Sequence, residues 1–552
     1  MATGTLSPLT KLHFTSQFHF ELILQANKVE FVNCKIKFCG TNKGFGIFYD
    51  NNQQINDSKG ILLVVPLDLA ITPMRVLEDP YLGPKCRAMF QQGEVDDRFL
   101  MILFLTVERL RKGSLWKPYL DMLPRTFGNP LWFSNEELLE LKGTTLYKAT
   151  EMQKKKLQYL YEDKVKHLVM EILDGESDSE VNLEDFLWAN SIFWTRALNI
   201  PFPRSYVFPQ NIEEQENISS LGDDSAVSGT SREALNLMKD EEGGVENKGK
   251  GDLSQGDSIW VEGLIPGIDF CNHDFKAAAT WEVDGSGLTT GVPASMYLLS
   301  VDQRPFQIDK EVYISYGSKG NEELLYLYGF VISNNPDDYL MVHYPMEAFH
   351  NIPFADTKST LLEVQKAETR CLLPRKLLDH HDNTKDDNCV GNNYSWSGER
   401  KMPSYANTLV FPEDFMTALR TIAMKEDELN KVKSLLEELV GSDEERQLTD
   451  SEVRAAIWEA CGDSGALQLL VDLLQMKMTE LEEGSGTESC DIELLEKVQI
   501  VDMEVEGMDK KMMSRNRWSC IVYRLGQKQL VRSFLREAEN ALHICLSEEN
   551  GA

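Results

Sequence analysis

The chain has 552 residues, too many for a single core, so two or three domains are expected. Apolar residues make up 42% and charged residues 26%, the balance of a water-soluble globular protein, and no run approaches the ~18 consecutive apolar residues of a membrane span. Acids outnumber bases 88 to 56, and the formal charge of −32 excludes a broadly basic, nucleic-acid-binding surface.

The ten cysteines are scattered and none forms a C-x-x-C pair, which points to reduced thiols in an intracellular compartment and against structural zinc. The first twenty residues hold Ser and Thr and no acid, a faint organelle-transit signature, but they lack Arg. The reading favours a soluble protein of the cytoplasm or nucleus, with the chloroplast stroma as the alternative, a monomer without nucleic-acid or membrane partners.

In chain order, residues 1–20 read as a tail. From Glu21, "ELILQANKVEFVNCKIKF" reads as a short helix followed by a strand. "NKGFGIFYD" places the Gly44 and Gly46 turn between strand-like runs, and "ILLVVP" (61–66) is a buried strand. From about Asp97 to Arg196 the period is helical. Ser134 with Glu137 three residues on has capping-box spacing, and Asn182 is the expected cap of "NLEDFLWANSIFWTRAL". Residues 211–258 then carry twelve acids, four bases, seven glycines and no aromatic residue; such a stretch cannot bury enough apolar surface to offset its ordering entropy and reads as a disordered insertion.

Strand signals return from Leu264 to Tyr316. A polar break at 379–401 contains His380-His381, which reads as a solvated loop rather than a metal site. Beyond about residue 346 the chain is helical, with Phe415, Leu419, Ile422, Leu429, Val432, Leu436 and Leu439 on one stripe, read as core. The expected fold class is therefore α+β: a β-rich domain over 21–345 with a helical insertion at about 97–196, and an all-α domain over 346–552.

Four stretches carry chemistry only when weighed together. "GLIPGIDFCNHDF" (263–275) is an apolar run that ends in Cys271, Asn272 and His273, and a buried Asn-His pair costs free energy unless it is hydrogen-bonded. The Gly44-Phe45-Gly46 turn opens no helix, so neither phosphate-loop fingerprint applies. Arg196, at the end of an apolar helix, reads alone as a snorkelling cation. The tyrosines of "EVYISYGSKGNEELLYLYGF" read alone as packing residues.

Taken together, N-H, "EVYISYG", N-x-E-L and "YGF" resemble the SET-domain protein methyltransferases, and more closely the branch typified by the Rubisco large-subunit lysine methyltransferase. "SLWKPYLDMLPRTFGNPLWFSNEELLELKGTTL" (114–146) and "YRLGQKQLV" (523–531) are similar to that branch outside the core, the second to the last helix of its substrate-binding domain. The resemblance implies a β-rich SET domain followed by an all-α substrate-binding domain. It also implies an S-adenosylmethionine-dependent protein-lysine N-methyltransferase, with a non-histone protein as substrate and no metal. By the same resemblance, Lys43, Gly44, Phe45, Gly46, Arg196, Asp269, Asn272, His273 and Tyr316 fall at the cofactor, with Arg196 toward its carboxylate. Tyr316 falls at the position of the catalytic tyrosine and Tyr328 at that of a second aromatic wall.

An unperturbed phenol, with a pKa of about 10, is a poor base at neutral pH, so these tyrosines are read as aligning groups. Tyr313, three residues before Tyr316 in a strand, is expected on the opposite face and without a role. Two departures stand out: no cysteine-rich segment follows "YGF", and the acidic insertion separates Arg196 from Asn272. Two alternatives remain: a protein-histidine methyltransferase of the actin-directed kind, against which the intact "YGF" weighs, and a SET-domain binding protein without turnover.

Overall fold

The computed structural model describes residues 8–40, 43–50, 60–174, 180–207, 258–301, 307–379, 403–406, 409–440, 446–497, 499–500 and 512–551. Of the stretch read as a disordered insertion, 211–257 lies outside the described residues, as does the His380-His381 pair, while Ser258 instead begins the strand Ser258–Gly263. The chain divides into two compact units: Met1–Phe127 with Lys155–Ser318, and Gly128–Lys154 with Lys319–Ala552. The expected boundary near residue 346 falls inside the second unit, and part of the expected helical insertion belongs there too.

Among the described residues the first unit holds ten short strands: β1 (Glu30–Phe31), β2 (Cys34–Phe38), β3 (Phe45–Tyr49), β4 (Ile61–Pro66), β5 (Leu198–Pro203), β6 (Ser258–Gly263), β7 (Asn272–His273), β8 (Ala279–Asp284), β9 (Ser295–Ser300) and β10 (Tyr313–Ile314). One four-stranded sheet runs β1-β4-β9-β8; β2 pairs with β3, β5 with β6, and β7 with β10. The run "ILLVVP" is buried throughout except at Pro66, as its unbroken apolar character requires of a central strand. The helix Asp97–Leu110 is capped by Asp96, whose side chain accepts the Phe99 N–H, and the helix Leu183–Arg196 by Asn182, which accepts the Asp185 N–H. The first helix, Pro8–Ala26, begins inside the stretch read as a tail. Phe20 anchors it: the ring is buried and lies 5.6 Å from Phe270 and 5.7 Å from Tyr119.

The second unit is mainly helical. β11 (Tyr339–His343) pairs antiparallel with β12 (Arg370–Pro374). The expected long helix splits into Glu413–Ala423 and Glu426–Val440. Its stripe is nonetheless core: Phe415, Leu419 and Ile422 pack with Leu467, Leu470 and Phe534, while Leu429, Val432 and Leu436 pack with Val453 and Ile457. The segment 128–154 joins this unit because Phe133, Leu138, Leu141 and Leu146 pack against Leu325, Cys520 and Tyr523. The capping box of Ser134 and Glu137 starts its helix. Glu322 ties the same pieces together by accepting the hydroxyls of Thr145 (2.5 Å) and Tyr523 (2.7 Å). Among the described residues no helix is long and apolar enough to cross a membrane.

Candidate active site

The strand end that holds Asn272 and His273 is met by a segment from much later in the chain. Residues 309–312 first pair with β3: Asp309 N–H donates to Tyr49 O (2.9 Å), Glu311 bridges Phe48, and Val312 N–H donates to Ile47 O (2.7 Å). The next two residues then run parallel to β7, with Tyr313 opposite Asn272 and Ile314 opposite His273. The backbone polar groups of the segment are thus satisfied first by one strand and then by the other, which fixes it in place between them.

Tyr316 is fastened to β7 and the residue before it. Its backbone N–H donates to His273 Nδ1 (3.1 Å), and its hydroxyl donates to the Cys271 carbonyl (2.8 Å). The His273 and Tyr316 rings lie 5.1 Å apart. The Asn-His pair is half-buried rather than buried, and its hydrogen bonds are met by the threaded segment: His273 by the Tyr316 N–H, and Asn272 by Glu311, to whose Oε1 its Nδ2 donates (2.5 Å).

Arg196 comes off the end of its helix onto the same stretch. Its Nη1 donates to Asp269 O (2.7 Å) and lies 3.5 Å from Asp269 Oδ2, and its guanidinium sits 5.3 Å from the Phe270 ring. The Arg196 side chain is 10% exposed, and its buried Nε has no hydrogen-bond partner. A guanidinium with a free donor at such a place can take a planar anion such as a carboxylate. Asp269 also accepts the Tyr119 hydroxyl (2.6 Å) and the Gly267 N–H (3.0 Å). Burial pushes its carboxyl above the usual range, against the opposing pull of Arg196 and these hydrogen bonds.

The glycine turn lies alongside. Gly44 has φ +72° with open space on its Cβ side. Gly46 is a close approach: a Cβ there would stand 2.7 Å from Cys39 Sγ, 2.9 Å from Glu311 Oε1 and 3.3 Å from Asn272 Nδ2. Phe45 is buried, its ring 6.1 Å from Phe270. Lys43 Nζ reaches Glu311 Oε2 at 3.6 Å and the Tyr313 hydroxyl at 3.5 Å.

Of the sequence-read residues, Lys43, Gly44, Phe45, Gly46, Arg196, Asp269, Asn272, His273 and Tyr316 all belong to the first unit, and contacts among these elements connect them. Tyr328 belongs to the second, at the end of the turn Leu324–Tyr328, its ring 6.3 Å from Phe330. Burial lifts its phenol to about 12, so the hydroxyl stays protonated at neutral pH. Two residues were missed. Tyr313 is not idle, because its hydroxyl donates to Glu311 Oε2 (2.6 Å). Glu311 itself read as an ordinary charged residue at a strand start; the rule that residues two apart in a strand share a face would have paired it with Tyr313.

No protein-family model matches the chain. Over 142 residues it is 35% identical to the chloroplastic (fructose-bisphosphate aldolase)-lysine N-methyltransferase of Arabidopsis thaliana, an alignment covering 25% of this chain and 27% of that one. Over 178 residues it is 31% identical to the chloroplastic ribulose-1,5 bisphosphate carboxylase/oxygenase large subunit N-methyltransferase of Pisum sativum, covering 32% and 34%. The chain thus spans about a quarter to a third of the length of these relatives. The solved SET domain of LSMT bound to lysine and AdoHcy matches with a TM-score of 0.59 at 20% identity, over 96% of this chain and 92% of that one. The chain has a SET-domain fold, of the α+β class. Among its relatives are protein-lysine N-methyltransferases and also actin-histidine N-methyltransferases, the latter 24% identical over 54% of this chain and 40% of theirs.

Proposed function

We propose that the chain is an S-adenosylmethionine-dependent protein-lysine N-methyltransferase whose substrate is a non-histone protein. One observation carries the reading: Tyr316 is held by its N–H and its hydroxyl to the Cys271–His273 strand end, two residues along from the Asp269 carbonyl that Arg196 grips. The sequence relatives and the LSMT fold support it.

The residues fit the cofactor. The unsatisfied Arg196 Nε suits its carboxylate, the open side of Gly44 allows close approach of the backbone, and Asn272 and His273 stand at a strand end already ordered by hydrogen bonds. When bound, S-adenosylmethionine supplies an electrophilic sulfonium methyl for in-line attack by an amine, a step that needs no metal.

The Tyr316 hydroxyl proton is committed to the Cys271 carbonyl. Toward an approaching amine the phenol therefore presents oxygen lone pairs, which accept an N–H and orient the nitrogen. It aligns a neutral amine and does not generate one. We retain Tyr328 as a second aromatic residue of the reaction on the strength of its motif alone, and a monomer as the acting form.

The test is transfer of radiolabelled methyl from S-adenosylmethionine to proteins of an extract, followed by amino-acid analysis. Label on lysine, undiminished by a chelator, is expected. Label on histidine alone, or activity abolished by the chelator and restored by zinc, would overturn the reading.

A further inference from the structure

Polar groups of three elements converge on Glu311, whose side chain is 10% exposed. Asn272 Nδ2 donates to Oε1 at 2.5 Å and the Tyr313 hydroxyl to Oε2 at 2.6 Å. Lys43 Nζ stands 3.6 Å from Oε2, and the Cys39 thiol donates to Oε1 at 3.8 Å. Burial and the neighbouring Glu311 push the Cys39 thiol up to about 12 and raise the Tyr313 phenol, so both remain donors rather than competing anions. A buried carboxylate is tolerated when it is paired and hydrogen-bonded on both oxygens, as here.

The consequence falls on Asn272. The two ends of a side-chain amide differ only in that one donates and the other accepts, and a carboxylate can only accept. Glu311 therefore selects the NH2 end of Asn272 and turns its carbonyl oxygen the other way. Gly46 lets this cluster close, since a Cβ there would meet the Cys39 sulfur, the carboxylate and the amide together. Simple strand docking does not require the carboxylate, because the Val312 N–H to Ile47 O bond and the parallel pairing of β7 with β10 already hold the backbone.

We infer that Glu311 is a positioning residue for methyl transfer: it fixes the Asn272 amide so that its acceptor oxygen is the end presented to the cofactor, with Tyr313 and Lys43 holding the carboxylate. The inference rests on the proposed function.

The test is a double-mutant cycle read as the dissociation constant for S-adenosylmethionine by titration calorimetry on the full chain, with thermal unfolding of each variant as the folding control. Glu311→Ala is expected to weaken binding about tenfold in the wild-type background, the size of a hydrogen bond to a charged group, and by less than about twofold in the Asn272→Ala background. Glu311→Gln, which keeps one acceptor oxygen for Asn272, is expected to bind within about threefold of wild type, a rescue that loss of packing would not produce. Should Glu311→Ala not fold, Glu311→Met, of similar length and without an acceptor, takes its place in the cycle. Losses that multiply across the cycle, or a Gln variant as weak as the apolar one, overturn the positioning role while wild-type binding still supports the methyltransferase reading. A wild-type chain that binds no S-adenosylmethionine overturns both.

Discussion

The Tyr316 hydroxyl donates to the Cys271 carbonyl at 2.8 Å, so its removal frees one partly buried backbone acceptor and leaves the packing volume almost unchanged. Tyr316→Phe should therefore fold and bind S-adenosylmethionine nearly as well as wild type. Single-turnover methyl transfer should fall about a hundredfold, because loss of the aligning group displaces the amine. A wild-type rate in this variant would remove Tyr316 from the reaction. Tyr313→Phe is not a silent control, since the Tyr313 hydroxyl is one of the two that hold Glu311. The meeting of Tyr316 with Asn272 and His273 was legible from motif and order along the chain. Glu311 was not, since a lone acid at the start of a strand usually faces water and only the fold brings Asn272, Lys43 and Cys39 to it.

Among the elements, the start of β11 carries a titratable group whose effect can be worked out in sign. Asp338 is buried, its Oδ1 accepts the Asn321 N–H at 2.9 Å, and burial lifts its carboxyl from 3.8 to about 6. A folded-state pKa above the unfolded one means that the fold favours the protonated acid. This contribution to stability is full below about pH 4 and is lost as pH rises through about 6. Asp338→Asn, which cannot ionise, should flatten the fall in stability of the second unit between pH 4 and 6 by on the order of 2 kcal/mol. Denaturant unfolding of both proteins across that range checks it, and parallel pH profiles would contradict the assignment. Legibility at this scale followed local chemistry. The caps at Ser134 and Asn182 were read from spacing alone. The break between Glu413–Ala423 and Glu426–Val440 was missed because the apolar stripe continues through it. The start of the first helix at Pro8 was missed because 1–20 was weighed as an address rather than as structure.

At the scale of the whole chain, strands β1 to β10 fall in the first unit and the second is mainly helical, and the change of period along the sequence runs the same way. The assignment of 128–154 to the second unit was not legible, because it depends on Phe133, Leu138, Leu141 and Leu146 finding Cys520 and Tyr523 nearly four hundred residues away. The acidic stretch interrupts a hairpin: β5 and β6 pair in unbroken register from Leu198 opposite Gly263 to Pro203 opposite Ser258. The ends that a deletion must join are thus held side by side by the ladder, and closure entropy changes only slowly with loop length. Replacing 211–257 with a short Gly-Ser linker should leave soluble protein whose affinity for S-adenosylmethionine is within a few-fold of wild type. Loss of folded protein would show that the stretch contributes to the core.

The most direct test of the central claim compares protein methylation, by mass spectrometry, in cells carrying the wild-type gene, no gene, or only Tyr316→Phe. The account predicts methyl-lysine at one or a few sites on non-histone proteins in the first, and its loss in the other two. Sites that persist without the gene, or a gene-dependent mark confined to histidine, would contradict it.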